Sequence, residues 1–183
     1  DGGVLFAHAF DSLRKNFHIR EFEKNCEKYF GIKHCLAVSS GTAALKITLK
    51  AMGVKPGDEV ITQAFNFIAT IEAILDIGAI PIIANVDETL NMCPKDLPRL
   101  ITKKTKVILP VHMLGVPAEL EKILFIAKKN KIKILEDNCE AMGAKYKGKH
   151  LCNFGDLGVV SYDFAKTITC GEGGMIFTNK KKL

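Results

Sequence analysis

Apolar positions recur along this chain in two alternating rhythms. Over residues 20–30, Phe22, Cys26, Tyr29 and Phe30 fall at three- and four-residue spacing and Gly31 stops the pattern, which predicts an amphipathic helix. His34-Cys35-Leu36-Ala37-Val38 then reads as a short buried strand, followed by Ser39-Ser40-Gly41-Thr42 and a helix over 43–52. The alternation repeats, with strands over 59–62, 80–84, 106–111 and 133–136 separated by helices over 68–77, 95–101 and 118–129. Val159-Val160-Ser161-Tyr162 is a further buried strand. Apolar strands without period-two alternation, set between amphipathic helices, are strands covered on both faces. The predicted fold class is therefore α/β, a three-layer α/β/α arrangement around a mostly parallel sheet with right-handed crossovers. No repeat, low-complexity tract or linker divides the chain; 53–58 is a turn-rich connection.

Composition changes this picture little. At 183 residues the chain suits one domain with a substantial core. The formal charge of +6 raises the question of nucleic acid, but only Arg14, Arg20 and Arg99 are arginines and the lysines are scattered over many segments. That pattern reads as a solvated surface, with neither nucleic acid nor membrane expected as a partner. The six cysteines sit far apart with no C-x-x-C pair, which predicts reduced thiols in a cytoplasmic protein and neither a disulfide scaffold nor a metal site. The chain opens on Asp1 without a methionine and closes on a lysine run, so either end is expected to be a cut.

Candidate chemistry gathers where the predicted strands end, which is where open α/β sheets bind ligands. Lys166 follows the buried strand and precedes Gly171, Gly173 and Gly174, whose freedom allows close backbone approach; a lysine desolvated there is an amine nucleophile toward a carbonyl. Ser39-Ser40-Gly41-Thr42 opens a helix, so its N–H groups and hydroxyls suit a phosphate, although the same residues cap helices that hold no ligand. Gln63-Ala64-Phe65-Asn66-Phe67 offers aromatics that face a flat ring or fill the core. His112 reads as a hydrogen-bonded structural histidine. Asp137, at the end of an apolar run, either caps a helix or meets a cationic ligand, since a desolvated carboxylate needs a partner.

Taken together these motifs resemble the DegT/DnrJ/StrS family of pyridoxal-phosphate enzymes, the sugar aminotransferases of aspartate-aminotransferase fold type, over residues 20–179. Val38-Ser39-Ser40-Gly41-Thr42-Ala43-Ala44-Leu45 looks like the family's phosphate turn, Phe65-Asn66-Phe67-Ile68-Ala69-Thr70 like its aromatic segment, the run 136–141 like its E-D-x-x-Q-A element, and Ser161 with Lys166 like its S-x-x-x-x-K. The resemblance implies a seven-stranded sheet and pyridoxal 5'-phosphate as cofactor. It places Gly41, Thr42, Ala43 and Ser161 on the phosphate, Phe67 on the pyridine ring, Asp137 on the ring nitrogen and Lys166 in the Schiff base. Glu140 stands where glutamine is usual, which would leave it protonated or turned away from the cofactor's phenolic oxygen; Asp163 stands where many members carry histidine.

The resemblance further implies that residues 1–183 are the cofactor-binding large domain, ending before a smaller C-terminal domain, and that the whole protein is a homodimer. The implied reaction moves an amino group, from glutamate as donor, to a keto sugar, nucleotide-linked or a sugar acid, in polysaccharide or secondary-metabolite synthesis. Three alternatives remain at this stage. A sugar dehydratase of the same family typically has histidine in place of Lys166, a non-catalytic regulatory homologue would keep the motifs, and a nucleotide-binding module would leave Asp137 and Lys166 unexplained.

Overall fold

A computed structural model describes residues 17–181; Arg14 and both chain ends lie outside the described residues. In chain order the elements are α1 (His18–Phe30), β1 (His34–Val38), α2 (Gly41–Ala51), β2 (Glu59–Gln63), α3 (Ile68–Asp76) and β3 (Ile80–Ala84). A 3-10 turn (Pro94–Asp96) runs into the short α4 (Leu97–Leu100), and β4 (Thr105–Ile108), a second 3-10 turn (Met113–Gly115), α5 (Leu120–Asn130) and β5 (Lys133–Asp137) follow. The hairpin β6 (Lys145–Tyr146) and β7 (Lys149–His150) precedes β8 (Leu157–Ser161) and β9 (Gly174–Thr178).

Seven strands form one sheet in the order β1-β9-β8-β5-β4-β2-β3. The pairs among β3, β2, β4, β5 and β8 are parallel, and β9 runs antiparallel between β8 and β1. This is the expected α/β sandwich, with one strand reversed. Alternate residues of the same strand serve opposite cores: Val60, Val107, Leu135 and Val159 pack under α2 and α3, whereas Ile61, Ile108 and Ile134 pack under α4 and α5. Val160, Met175 and Phe177 meet Cys26 and Phe30 of α1. Burial on both faces explains the nearly continuous apolar runs.

Three local details depart from the sequence expectation. The predicted helix over 95–101 divides into a 3-10 turn and one turn of α-helix because Pro94 and Pro98 break continuous amide donation. The predicted strand 106–111 pairs regularly only to Ile108, since Pro110 has no N–H; its carbonyl accepts from the Asp137 amide, and the His112 amide returns a bond to the Asp137 carbonyl. The β6–β7 hairpin turns through Lys147 (φ 49°) and Gly148 (φ 80°), both left-handed as a two-residue primed turn requires.

Each α/β unit brings the chain back to the same end of the sheet, so the starts of β1, β2, β3, β4, β5 and β8 and the end of β9 share one pole, opposite the strand ends that carry Asp137 and Ser161. Exposed lysines fill these connections. Lys28 and Lys33 bracket α1–β1, and Lys50 and Lys55 bracket α2–β2. Lys103, Lys104 and Lys106 lie around the start of β4; Lys128, Lys129, Lys131 and Lys133 surround the start of β5; Lys180 and Lys181 follow β9.

At the other pole β9 meets the turn before α2. A Cβ added to Gly174 would lie 2.5 Å from the Ser40 carbonyl oxygen. Backbone blocks it, so Gly174→Ala is expected to lower unfolding stability by about 1–3 kcal/mol in urea titrations, as overpacking of a close contact does.

Candidate active site

Four separate segments converge at the carboxyl ends of β1, β2, β5 and β8 on a cavity of about 340 Å³. Its walls include Gly41, Thr42, Phe67, Thr70, Asp137, Glu140, Ser161 and Lys166.

The first wall is the N-terminus of α2. Ser40 is its cap, in extended backbone (φ −164°, ψ 166°), and its Oγ accepts the Ala43 amide at 3.1 Å. That bond occupies the Ala43 N–H, so the free donors are the Gly41 and Thr42 amides, which no helical carbonyl reaches, and the Thr42 hydroxyl. Gly41 is required by closeness: a Cβ there would stand 2.8 Å from the Ser161 Cβ and 3.2 Å from the Cys139 sulfur. Ser161, the last residue of β8, is thereby pressed against the helix end, and its Oγ accepts the Asp163 amide at 3.2 Å while its own proton remains available. Two amides, two hydroxyls and the positive end of a helix make an anion seat.

The floor is Asp137, the last residue of β5 and only 3% exposed. Its Oδ1 accepts the Cys139 amide at 3.0 Å and its Oδ2 accepts the Thr70 hydroxyl at 3.1 Å. A carboxylate has about four acceptor positions, so these two donors leave acceptor capacity facing the cavity. Thr70 lies one turn along α3 from Phe67, which is why both reach the same space. Burial, with the Asp137 charge adding to it, pushes the Cys139 thiol well up, so this wall residue stays protonated and does not compete as a nucleophile.

Lys166 enters from the turn after β8, where its amide donates to the Asp163 carbonyl at 3.0 Å. Its Nζ lies 3.7 Å from Glu140 Oε1 and 5.5 Å from the centroid of the Phe67 ring. The Glu140 carboxylate therefore faces the lysine. Phe67 is 62% exposed, with its ring at the mouth of the cavity.

The remaining polar candidates serve the frame. Gln63 is buried, with its amide nitrogen donating to the Phe65 and Leu90 carbonyls and its oxygen accepting from the Met92 and Val111 amides. His112 is fully buried and its Nδ1 accepts the Ala118 amide at 3.0 Å, as a structural histidine does. Asn66 bonds back to the Gln63 carbonyl. Two contributors escaped the sequence reading. Thr70 carried no assigned role, although its one-turn spacing from Phe67 was visible. Glu136 is fully buried and accepts the amides of Cys152, Phe154 and Gly155, fixing the loop beside the strand that ends in Asp137. Nothing local in the sequence marks that long-range bond set.

These residues fit a flat, phosphorylated aldehyde carrying a basic ring nitrogen: an anion seat, a buried acceptor carboxylate, an aromatic face and an amine share one cavity of the usual ligand size. Among the described residues no cluster of histidine, cysteine and carboxylates could hold a metal ion.

Comparison with known proteins points the same way. Residues 8–183 match the DegT/DnrJ/EryC1/StrS aminotransferase family. GDP-perosamine synthase of Escherichia coli O157:H7 is 42% identical over 170 residues, covering 92% of this chain and 47% of that protein. UDP-2-acetamido-2-deoxy-3-oxo-D-glucuronate aminotransferase of Pseudomonas aeruginosa is 40% identical over 167 residues, covering 90% and 46%. The crystal structure of NtdA from Bacillus subtilis with bound cofactor PMP superposes with a TM-score of 0.86 at 35% identity, covering 92% of this chain and 38% of that one. The chain spans about half the length of the curated relatives it matches.

Proposed function

The chain belongs to the DegT/DnrJ/EryC1/StrS aminotransferase family, and on that premise we propose that it is the pyridoxal 5'-phosphate-binding large domain of an aminotransferase that moves an amino group from glutamate to a nucleotide-linked keto sugar or keto sugar acid. The proposal extends to a homodimeric, cytoplasmic enzyme whose covalent attachment point is Lys166. The observation that carries it is the convergence of the Lys166 amine, the Asp137 carboxylate and the α2 amides on one cavity.

When bound, the cofactor supplies an aldehyde that condenses with amines and a ring that withdraws electrons from the adjoining carbon. The chain supplies the rest. Gly41 and Thr42 amides and the hydroxyls of Thr42 and Ser161 would hold the phosphate, and Phe67 would face the ring. Asp137, fixed by Thr70 and the Cys139 amide, holds a proton on the ring nitrogen, which keeps the ring electron-poor. Lys166 Nζ would be the amine that holds the cofactor's aldehyde carbon, and it is placed to act as the base toward the donor's α-proton. Glu140, 3.7 Å from that nitrogen, is the adjacent carboxylate that orients the lysine side chain. The dehydratase reading is weaker because the position carries lysine.

Adding pyridoxal phosphate to the protein, recording the visible absorption, reducing with borohydride and mapping the modified peptide tests this reading. Label on Lys166 is expected. Absence of the band, or label on another lysine, would remove the proposal.

A further inference from the structure

The lysines that lie far apart in sequence gather at one end of the molecule. Among the described residues, thirteen exposed lysines occupy the pole formed by the strand starts, against five carboxylates there, Glu27, Asp58, Glu59, Asp76 and Asp156. The excess of eight is greater than the formal charge of +6 of the whole chain, so the remaining residues together sum to a net negative charge. Of the five carboxylates, Asp76 is paired with Lys46 and Asp156 with Lys180, while Glu59 accepts the Thr102 and Thr105 hydroxyls.

We propose that this pole is a docking face for an anionic lipid surface, which holds the protein with its cavity directed away from the bilayer. Three features favour a membrane over other polyanions. The charge is spread over five strand ends, from β1 across the sheet to β2, a front of about 24 Å at the usual strand spacing, and so matches a broad plane better than a single-strand groove. All of it is lysine, the point charge that adheres to headgroups, with none of the arginine forks that read phosphates and bases. Tyr29, 65% exposed at this pole, is an amphipathic ring at a charged rim and suits the headgroup layer.

Helix C-termini favour lysine in any α/β protein. That preference accounts for Lys28, Lys50, Lys128 and Lys129 but not for Lys33, Lys55, Lys103, Lys104, Lys106, Lys133 or Lys181, which lie outside the last turns. No described helix is long and apolar enough to cross a bilayer, so the attachment is peripheral, reversible and screened by salt.

Co-sedimentation of the whole chain with vesicles tests the proposal. Vesicles of phosphatidylcholine with about a third phosphatidylglycerol should retain the protein at low salt and release it at about 0.5 M salt, and pure phosphatidylcholine should not retain it. Lys103→Glu with Lys131→Glu should weaken retention about tenfold or more. Lys95→Glu with Lys122→Glu, the same charge change at the cavity end, should leave it within about twofold if local charge governs binding. Circular dichroism checks that both variants fold, and Lys→Gln at the same positions replaces any that does not. Equal loss in both variants, retention by neutral vesicles, or tighter binding to duplex DNA or polyglutamate than to the anionic vesicles at equal charge would overturn it. Vesicle binding requires no pyridoxal phosphate, so this outcome is independent of the reading of Lys166.

Discussion

Lys166→Ala is expected to abolish borohydride-stable labelling by pyridoxal phosphate and to lower amino transfer from glutamate by at least about a thousandfold. The size of the effect follows from two roles in one atom. Nζ is the only amine among the described residues lining the cavity, so on the proposed reading its loss would remove both the nucleophile that anchors the cofactor and the base that takes the α-proton. The fold should survive, because the Lys166 amide keeps its bond to the Asp163 carbonyl and the side chain lies at the cavity rather than in a core. Glu140 loses its cationic neighbour, but at 25% exposure water reaches its carboxylate. A thermal melt within a few degrees of the parent, together with loss of label, is the expected pair of results. Retained labelling at another lysine would show that Lys166 is not the attachment point.

How far such a site was legible beforehand depended on whether its residues announce themselves locally. The β1 strand and the starts of β2, β3 and β5 coincide with apolar runs bounded by turn residues, and the structure places them at the expected positions. Ser40, Gly41 and Thr42 were legible as a helix opening, since a cap and its first turn are adjacent in sequence. The Ala43 amide, also expected on the phosphate, donates to the Ser40 hydroxyl in this structure, a bond set by the backbone conformation of Ser40 and not visible in the sequence. Direction of pairing was less visible. The reversal of β9 depends on the chain turning back at Gly171, at φ 88°, and on the close contact of Gly174 with Ser40, neither of which has a periodic signature. The hairpin was missed because its turn uses Lys-Gly where Asn-Gly or Asp-Gly is the usual signal. The lysine pole was hidden for a topological reason: its members are scattered along the chain and meet only because every crossover ends at the same edge of the sheet.

Asp137→Asn isolates charge from structure at the same site, and it is expected to reduce turnover by about 10²–10³-fold, the range found when one preorganised electrostatic partner is removed. Asparagine is close in shape to aspartate. Its oxygen can keep the Cys139 amide bond, and its amide group can donate to the Thr70 hydroxyl, which is able to accept as well as donate. Both bonds to the protein are therefore replaceable and the fold should be retained. What asparagine cannot replace is a negative charge held at 3% exposure, where little water screens it. Without that charge a proton on the cofactor's ring nitrogen has no counter-ion, and the ring withdraws electrons less strongly. Thr70→Val provides the graded comparison: it removes one donor to Asp137 but leaves the charge, so a loss of about tenfold or less is expected. Both variants should still give the Lys166 label after borohydride reduction, because the attachment atom is untouched. If Asp137→Asn and Thr70→Val fell equally, the floor of the cavity would act through its hydrogen-bond frame and not through its charge.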